Sequence, residues 1–201
     1  MLRELLCNHI DKREVGHMAM VNGIEANNIV KMVEGVKSNP ASAKATFYAA
    51  NNWKGGFHNE VEISSFTMGG AKLKHTKTFK VESDHPKELL GTDKGPTSVE
   101  VLLAALCHCV ASGWAVYGAS MGVAIDSLRL EIEGDIDLQG MLGLPEPGKV
   151  RPGYQNIRIT HYVKSKAPKD KLEQLKQMAE DLSPTKDSLR AVSFSSKLVI
   201  Q

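Results

Sequence analysis

The sequence has little of several features that mark particular classes of protein. Only 3 of its 201 residues are cysteine, an odd number that argues against a disulfide framework and indicates a reducing compartment. The formal net charge is only +2, and no long run of lysine or arginine occurs, so charge predicts neither a nucleic-acid nor a membrane partner. The first residues carry charge from Arg3 onwards and lack the apolar core of a secretory signal, which predicts a cytoplasmic protein.

Charge itself is missing from one stretch of the chain. Val101 to Ile125 contain no Asp, Glu, Lys or Arg, although charged residues make up 24% of the sequence. Thr97 followed by Glu100, just before this run, is the capping-box pattern of a helix start. Because the run is apolar on every face, we expect a core helix surrounded by other elements. A membrane span is disfavoured, since polar residues and glycines interrupt the run and no second span follows.

Two of the three cysteines, Cys107 and Cys109, fall within this predicted helix. At about 100° per residue they lie roughly 200° apart, so they face opposite sides and cannot pair within a helix. For the same reason the tract Cys107-His108-Cys109 cannot converge on one metal ion. Near the N-terminus, Cys7 and His9 offer only two ligands where structural zinc usually has four. We therefore predict no metal and no cofactor.

The rest of the pattern alternates between strands and helices. An amphipathic helix is predicted within residues 24–40, followed by three antiparallel strands over 45–53, 57–66 and 71–83. Beyond the apolar helix, the pattern predicts a strand within 123–138, a turn-rich excursion over 139–153, a strand over 154–166, a helix from Pro168 to Leu182 and a last strand over 189–200. This order predicts an α+β fold with helices packed on antiparallel sheet. We divide the chain into an N-terminal extension with one helix, residues 1–42, and a domain over residues 43–201.

Other polar and aromatic residues show no spacing that marks a site. Glu100 is better explained as a capping residue than as an acid catalyst. Trp114 and Tyr117 are interpreted as core or interface residues. The remaining histidines of the domain are scattered along the sequence: His58, His75, His85 and His161.

The tract KGPTSVEVLLAALCHCV, the later helix, the segment SPTKDSL and the final strand together resemble the OsmC family of osmotically inducible and organic-hydroperoxide-resistance proteins. The resemblance runs from about Ala43 to Gln201. It implies the OsmC-like fold, with antiparallel sheets packed around a buried central helix in an intertwined homodimer whose sites lie at the subunit interface. It also implies reduction of organic hydroperoxides by a reactive thiolate. The thiolate becomes a sulfenic acid, which a second cysteine then resolves to a disulfide.

Carried onto this chain, the resemblance makes Cys109 the candidate nucleophile and puts Ser183 where the resolving cysteine would stand. A serine cannot form a disulfide, so this is a divergent member that lacks the second cysteine. The arginine and glutamate that activate the thiol in the peroxidases are also unmatched. No arginine occurs between Glu14 and Leu128, and Val99 stands ten residues before Cys109, where the glutamate would be. Glu100 is a weak catalytic candidate, because it lies one step on and on the opposite helix face.

Two sources could replace what is missing. Lys77, Lys80 or His108 could supply the positive charge that a thiolate needs. Cys107, Cys7 or an external thiol could recycle an oxidised Cys109. The alternative is that neither helix cysteine is reactive and that both pack as small buried hydrophobic residues.

Two hypotheses from different classes follow. The first is a thiol-dependent hydroperoxide reductase that acts through Cys109 and an external thiol reductant on a small hydrophobic peroxide. The second is a non-catalytic homodimeric protein that binds a hydrophobic small molecule at the dimer interface.

Overall fold

A computed structural model describes residues 20–144, 146, 148–190 and 192–200. These residues form two compact units. One unites residues 20–29 with those from Leu103 onwards, and the other spans Val30–Leu102. The predicted α+β class is confirmed, while the predicted boundary between extension and domain at residue 42 stays a prediction. Cys7 and His9 lie outside the described residues.

The first described residues form a hairpin that leads into a helix. Its strands are β1, Met20–Val21, and β2, Ile24–Glu25, and they flank a turn at Asn22-Gly23 in which both residues have positive φ. The Asn22 side chain donates to the Val123 carbonyl at 3.0 Å and accepts from the Ile125 N–H at 2.9 Å. Helix α1 then covers Ala26–Ser38, inside the range predicted for it.

The unit that spans Val30–Leu102 is built on a four-stranded antiparallel sheet. Its strands are β3, Ala45–Phe47; β4, Ala50–Gly55; β5, His58–Met68; and β6, Ala71–Ser83. Strands β3 and β4 both pair with one edge of β5, and β6 pairs with its other edge. The strand predicted over 45–53 is therefore broken into two, because Tyr48 and Ala49 leave the ladder.

The loop between β6 and the apolar helix is organised by a buried carboxylate. Asp84 accepts hydrogen bonds from the N–H groups of His85, Thr92 and Lys94 and from the Thr92 hydroxyl. The Thr92 hydroxyl, together with these N–H groups, lowers the pKa of Asp84 to about 2 despite its burial. The carboxylate thus satisfies several backbone donors of a segment that has little regular structure of its own.

The apolar stretch is a long helix, α2, over Ser98–Ser120. Its predicted capping box is present: Thr97 donates from both N–H and Oγ1 to a Glu100 carboxylate oxygen at 2.7 Å, and the Glu100 N–H donates to Thr97 Oγ1 at 3.4 Å. At the other end Gly122 has φ 67°, and the Val123 N–H donates to the Gly118 carbonyl at 2.8 Å. This is a Schellman motif, which needs a left-handed residue at the position of Gly122.

Only one face of α2 is buried within the single chain. Leu106, Val110, Trp114 and Gly118 recur every four residues and are buried, whereas Ala104, His108 and Ser112 on another face are exposed. Among the described residues of one chain, the expectation of a core helix surrounded by other elements is therefore met on one face of α2 only. By length and composition α2 could cross a membrane, a test that core helices of soluble proteins also pass, and no other helix among the described residues does so.

The buried face of α2 packs in the unit that contains the three-stranded sheet. Strands β7, Ser127–Asp135, and β8, Asn156–Lys164, pair antiparallel, and β9, Ser193–Ile200, pairs with β8 in parallel. A short helix α3, Leu138–Met141, lies in the excursion between β7 and β8. Helix α4, Lys169–Asp181, and a short helix α5, Pro184–Ser188, connect β8 to β9. This crossover explains the parallel pairing, since two parallel strands cannot be joined by a tight hairpin.

Helices α2 and α4 approach each other closely in the core of this unit. A Cβ built on Gly113 would lie 2.9 Å from the Ala179 Cα, so the two backbones could not pack this way with a larger residue there. Leu172 and Leu175 of α4 are fully buried with Trp114 of α2 in the same cluster. The core therefore fixes how α2 lies against the end of α4, where α5 begins.

Candidate active site

Cys109 lies against the step between α4 and α5. Ser183, which is only 3% exposed, donates a hydrogen bond from its Oγ to the Cys109 Sγ at 3.0 Å. The same Oγ accepts the Lys186 N–H at 3.2 Å, so Ser183 is the N-cap of α5. Because this hydroxyl already accepts from the helix, its own proton is directed to the sulfur.

A second residue of α5 completes the surroundings of the sulfur. Thr185 lies near the start of α5, and its backbone N–H and hydroxyl favour the charged form of the Cys109 sulfur. Burial by itself raises the pKa of the Cys109 thiol, but the Ser183 hydroxyl and the two Thr185 donors outweigh it and lower the pKa below its ordinary value. The site therefore favours the thiolate through neutral donors, without the arginine that the resemblance implies.

Cys107 has different surroundings, as its angular position on the helix predicts. Its thiol is partly buried, and that burial raises its pKa. Both cysteines are free thiols, and the described part of the chain contains no group of three metal-ligating side chains. Of the two, only Cys109 is held by hydrogen bonds that favour the reactive form.

The other residues singled out from the sequence have partners of their own. Glu100 is occupied by the capping box, and the Thr97 hydroxyl and N–H lower the pKa of its carboxyl. Lys80 forms an ion pair with Glu60 at 3.0 Å, and Lys77 lies over the Phe79 ring. His108 is exposed. Among the described residues, then, the donors that favour the Cys109 thiolate are Ser183 and Thr185, at the start of α5.

Behind this site lies a buried polar network that the sequence reasoning missed. Trp114 Nε1 donates to His161 Nδ1 at 3.0 Å, and His161 Nε2 lies 3.1 Å from Glu180 Oε1. The other oxygen of Glu180 forms an ion pair with Lys186 Nζ at 2.7 Å. His161 is 0% exposed and Glu180 4% exposed. The network joins α2, β8, α4 and α5.

The hydrogen bonds of His161 determine which of its ring nitrogens carries the proton. An indole N–H can only donate, so His161 Nδ1 must accept and carries no proton. The imidazole is therefore neutral, with its proton on Nε2, where it donates to the Glu180 carboxylate. Burial raises the pKa of Glu180, but the His161 and Lys186 donors outweigh burial and lower the pKa to about 2. Glu180 is thus a buried carboxylate whose charge is compensated by Lys186.

A sequence signal for this network existed. Ile157, Ile159, His161 and Val163 alternate along β8, and all are buried, so the histidine lies on the apolar face of its strand. In the structure Tyr162 lies on the other face and donates to Glu131 at 2.9 Å.

Comparison with known protein families matches residues 91–197 to the family described as OsmC-like protein, which is more than half of the chain. The protein belongs to the OsmC-like family. The matched range contains α2, Cys109, Ser183, strands β7 and β8 and the first part of β9. No curated protein matches the sequence.

Solved structures show the same OsmC-like fold at low sequence identity. An OsmC-like protein from Mycoplasma pneumoniae is 15% identical with a TM-score of 0.54, and the match covers 79% of this chain and 96% of that one. An organic hydroperoxide resistance protein OsmC from Legionella pneumophila is 17% identical with a TM-score of 0.53, over 77% and 96%. An organic hydroperoxide resistance protein from Elizabethkingia anophelis is 14% identical with a TM-score of 0.56, over 78% and 96%.

The two positions that the resemblance pairs, Cys109 and Ser183, are thus neighbours within the OsmC-like part of this chain. Their predicted roles as nucleophile and as substitute for the resolving cysteine stay predictions. In this chain Ser183 donates a hydrogen bond to the Cys109 sulfur, at the position where a resolving cysteine would form a disulfide with it.

Proposed function

We propose that this OsmC-like protein is a thiol-dependent reductase of organic hydroperoxides in which Cys109 is the nucleophile. The observation that carries the proposal is the 3.0 Å hydrogen bond from Ser183 Oγ to Cys109 Sγ, which the Thr185 donors reinforce. Donors aimed at a sulfur stabilise thiolate over thiol, and the thiolate is the nucleophile. Two of the structural neighbours are named as organic hydroperoxide resistance proteins, which supports the substrate class.

The first chemical step balances without a metal or cofactor. The Cys109 thiolate attacks the terminal oxygen of the hydroperoxide, an S–O bond forms and the O–O bond breaks. The departing alkoxide takes up a proton and leaves as the alcohol. Cysteine is oxidised to the sulfenic acid, and the peroxide is reduced by the same two electrons.

For the recycling step we propose an external thiol in preference to Cys107 or to Cys7, which lies outside the described residues. Ser183 cannot form a disulfide, and Cys107 lies on another face of α2. A first external thiol condenses with the sulfenic acid, releasing water and leaving a mixed disulfide on Cys109. A second external thiol, as thiolate, attacks this mixed disulfide, regenerates Cys109 and leaves as the external disulfide. We propose this single-cysteine cycle in place of the two-cysteine cycle that the resemblance implies.

The proposal includes a homodimer. The face of α2 that contains Ala104, His108 and Ser112 is exposed in the single chain although the helix is apolar almost throughout. The sheet of the other unit also has large uncovered aromatic residues, with Phe47 75% and Trp53 71% exposed. Exposed apolar surface of this kind is typical of protein–protein interfaces, and a second copy of an OsmC-like chain is the occupant that the resemblance implies.

The test is direct measurement of turnover and of the sulfur product. The purified protein is mixed with cumene hydroperoxide and dithiothreitol, peroxide loss is followed, and sulfenic acid is trapped with dimedone and located by mass spectrometry. We expect turnover and a trapped Cys109 in the wild type, neither in Cys109→Ser, and both in the matched control Cys107→Ser. Absence of peroxide loss and of any adduct in the wild type would leave the non-catalytic binding protein as the better hypothesis.

A further inference from the structure

The buried network of Trp114, His161, Glu180 and Lys186 takes no part in the chemistry proposed above. Burying the Glu180 carboxylate costs free energy of folding unless a neighbouring charge and hydrogen bonds compensate it. The presence of this network therefore calls for an explanation. Here His161 donates to one Glu180 oxygen, Lys186 forms an ion pair with the other, and the Ser196 hydroxyl also lowers the pKa of the carboxyl. Such a fully satisfied network holds its members in one arrangement.

The network is continuous with the groups that hold the Cys109 sulfur. The Ser183 N–H donates to the Glu180 carbonyl at 3.2 Å, and the Lys186 N–H donates to Ser183 Oγ at 3.2 Å. Lys186 thus bonds to Glu180 through its side chain and to Ser183 through its backbone. Glu180, Ser183 and Lys186 therefore form a closed ring of contacts across the step between α4 and α5.

We propose that Glu180, clamped between His161 and Lys186, is a positioning residue that orients α5 so that the Ser183 and Thr185 donors meet the Cys109 sulfur. The inference rests on the proposed function of Cys109 for its biological meaning. In this proposal Glu180 acts on the thiol indirectly, in place of the activating arginine that this chain lacks. The buried ion pair acts on the thiol through the placement of neutral donors.

The rival explanation is a direct electrostatic effect of the Glu180 charge on the Cys109 sulfur. For Glu180→Gln the two explanations predict shifts of the Cys109 pKa in opposite directions. Glu180→Gln removes a negative charge, so a pure field effect would lower the pKa of Cys109. Loss of positioning would raise it, because the donors to the thiolate would be less well aligned. Lys186→Met raises the pKa under both explanations, and Lys186→Arg should leave it near the wild-type value since it keeps the ion pair.

The experiment measures the pKa of Cys109 in the full-length protein from the iodoacetamide alkylation rate against pH, with the Cys109 peptide quantified by mass spectrometry. We expect Glu180→Gln and Lys186→Met each to raise that pKa by about one unit, which is roughly a tenfold loss of thiolate near neutral pH. Leu172→Val, a core change in the same helix α4, should lower stability without moving the thiol pKa. Circular dichroism confirms that each variant is folded.

A variant that changes no charge covers the case in which Glu180→Gln does not fold. Ser196→Ala removes one donor to Glu180 from an exposed strand residue and should give a smaller rise of the same sign. A fall in the pKa of Cys109 with Glu180→Gln, or no change with it, overturns the proposal. Where Glu180→Gln does not fold, no change with Ser196→Ala overturns it. Because alkylation needs no peroxide, a wild type without peroxidase activity would sink the proposed function while this readout still decides the role of Glu180.

Discussion

The Oγ atom of Ser183 lies 3.0 Å from the Sγ atom of Cys109, at the position where the family resemblance places a resolving cysteine. A hydroxyl there cannot form a disulfide with a sulfenic acid on Cys109, but it can donate a hydrogen bond to the Cys109 thiolate. The same contact between α2 and the start of α5 thus suits a different chemistry from that of a two-cysteine enzyme. It favours formation of the thiolate, and under the proposed function an external thiol reduces the sulfenic acid.

Removing the Ser183 hydroxyl should make Cys109 less acidic. Hydrogen bonds to charged groups contribute about 1.5–3 kcal/mol, so we expect Ser183→Ala to raise the pKa of Cys109 by roughly 1–2 units. The change also removes the N-cap of α5, which costs about 1 kcal/mol of stability. Alkylation rate against pH measures the first effect, and urea denaturation measures the second.

Ser188→Ala is the matched control for this variant. Ser188 lies at the other end of α5, is exposed and donates to the Pro184 carbonyl, so its loss should leave the thiol unchanged. Equal thiol pKa values in Ser183→Ala and the wild type would show that the hydroxyl does not stabilise the thiolate.

Introducing a thiol at position 183 should restore the missing half of the redox pair. Ser183→Cys puts a sulfur where an oxygen now lies within hydrogen-bond distance of Cys109 Sγ, which is close enough for a disulfide after a small side-chain rotation. We expect treatment with one equivalent of cumene hydroperoxide to convert this variant to an intramolecular disulfide. Peptide mapping under non-reducing conditions would detect the cross-link.

Ser188→Cys should instead form no cross-link to Cys109, which makes it the control for this second prediction. A Ser183→Cys protein that accumulates only sulfenic acid would mean that the two side chains do not meet during turnover, whatever their separation in the resting protein.

Local pattern predicted α2, its capping box and the separation of the two helix cysteines, whereas the family resemblance made Cys109 the candidate nucleophile. The charge-free run sets the helix, Thr97 and Glu100 set its start, and helical angles separate Cys107 from Cys109. The family resemblance supplied the link between Cys109 and Ser183, which are 74 positions apart and share no local signal. Thr185 was not identified, since only the fold brings its N–H and hydroxyl to the sulfur.

The buried ion pair of Glu180 and Lys186 could not be predicted from local pattern either. Glu180 directly follows Ala179 on α4, and a charged residue beside an apolar stripe is normally read as the edge of a solvated face. Its burial depends on three partners from other elements: His161 of β8, Lys186 of α5 and Ser196 of β9. The parallel pairing of β9 with β8 was likewise not predicted, because strand patterns do not encode direction.

Stability in acid should report on Glu180. Its pKa lies at about 2 in the folded protein, below the ordinary value of about 4.3 in an unfolded chain, so ionisation stabilises the fold above that ordinary value. This stabilisation, up to about 3 kcal/mol, should be lost as the pH falls from about 4.5 to about 2. Urea denaturation at a series of pH values measures it.

The comparison that isolates Glu180 uses two carboxylates that are neighbours in sequence. Glu180→Gln should flatten the acid limb of the curve, whereas Asp181→Asn, an exposed change on the same helix, should leave the limb as it is. Asp84 adds acid dependence of the same sign in both variants, because its pKa is also about 2, and so cancels in the difference. Parallel curves for Glu180→Gln and the wild type would contradict the strong compensation of the buried carboxylate.

The uncovered face of α2 should control assembly. We expect the wild type to sediment as a dimer of its 21.9 kDa chain, and Ala104→Arg to shift it to the monomer, because an unpaired charge in an apolar interface costs several kcal/mol. Gln177→Arg places the same charge on an exposed position of α4 and should leave the dimer intact. Sedimentation velocity at micromolar concentration separates the two species. A monomeric wild type would leave the exposed face of α2 without the partner proposed for it. A dimeric Ala104→Arg would move the interface to another surface, for which the exposed Phe47 and Trp53 are the next candidates.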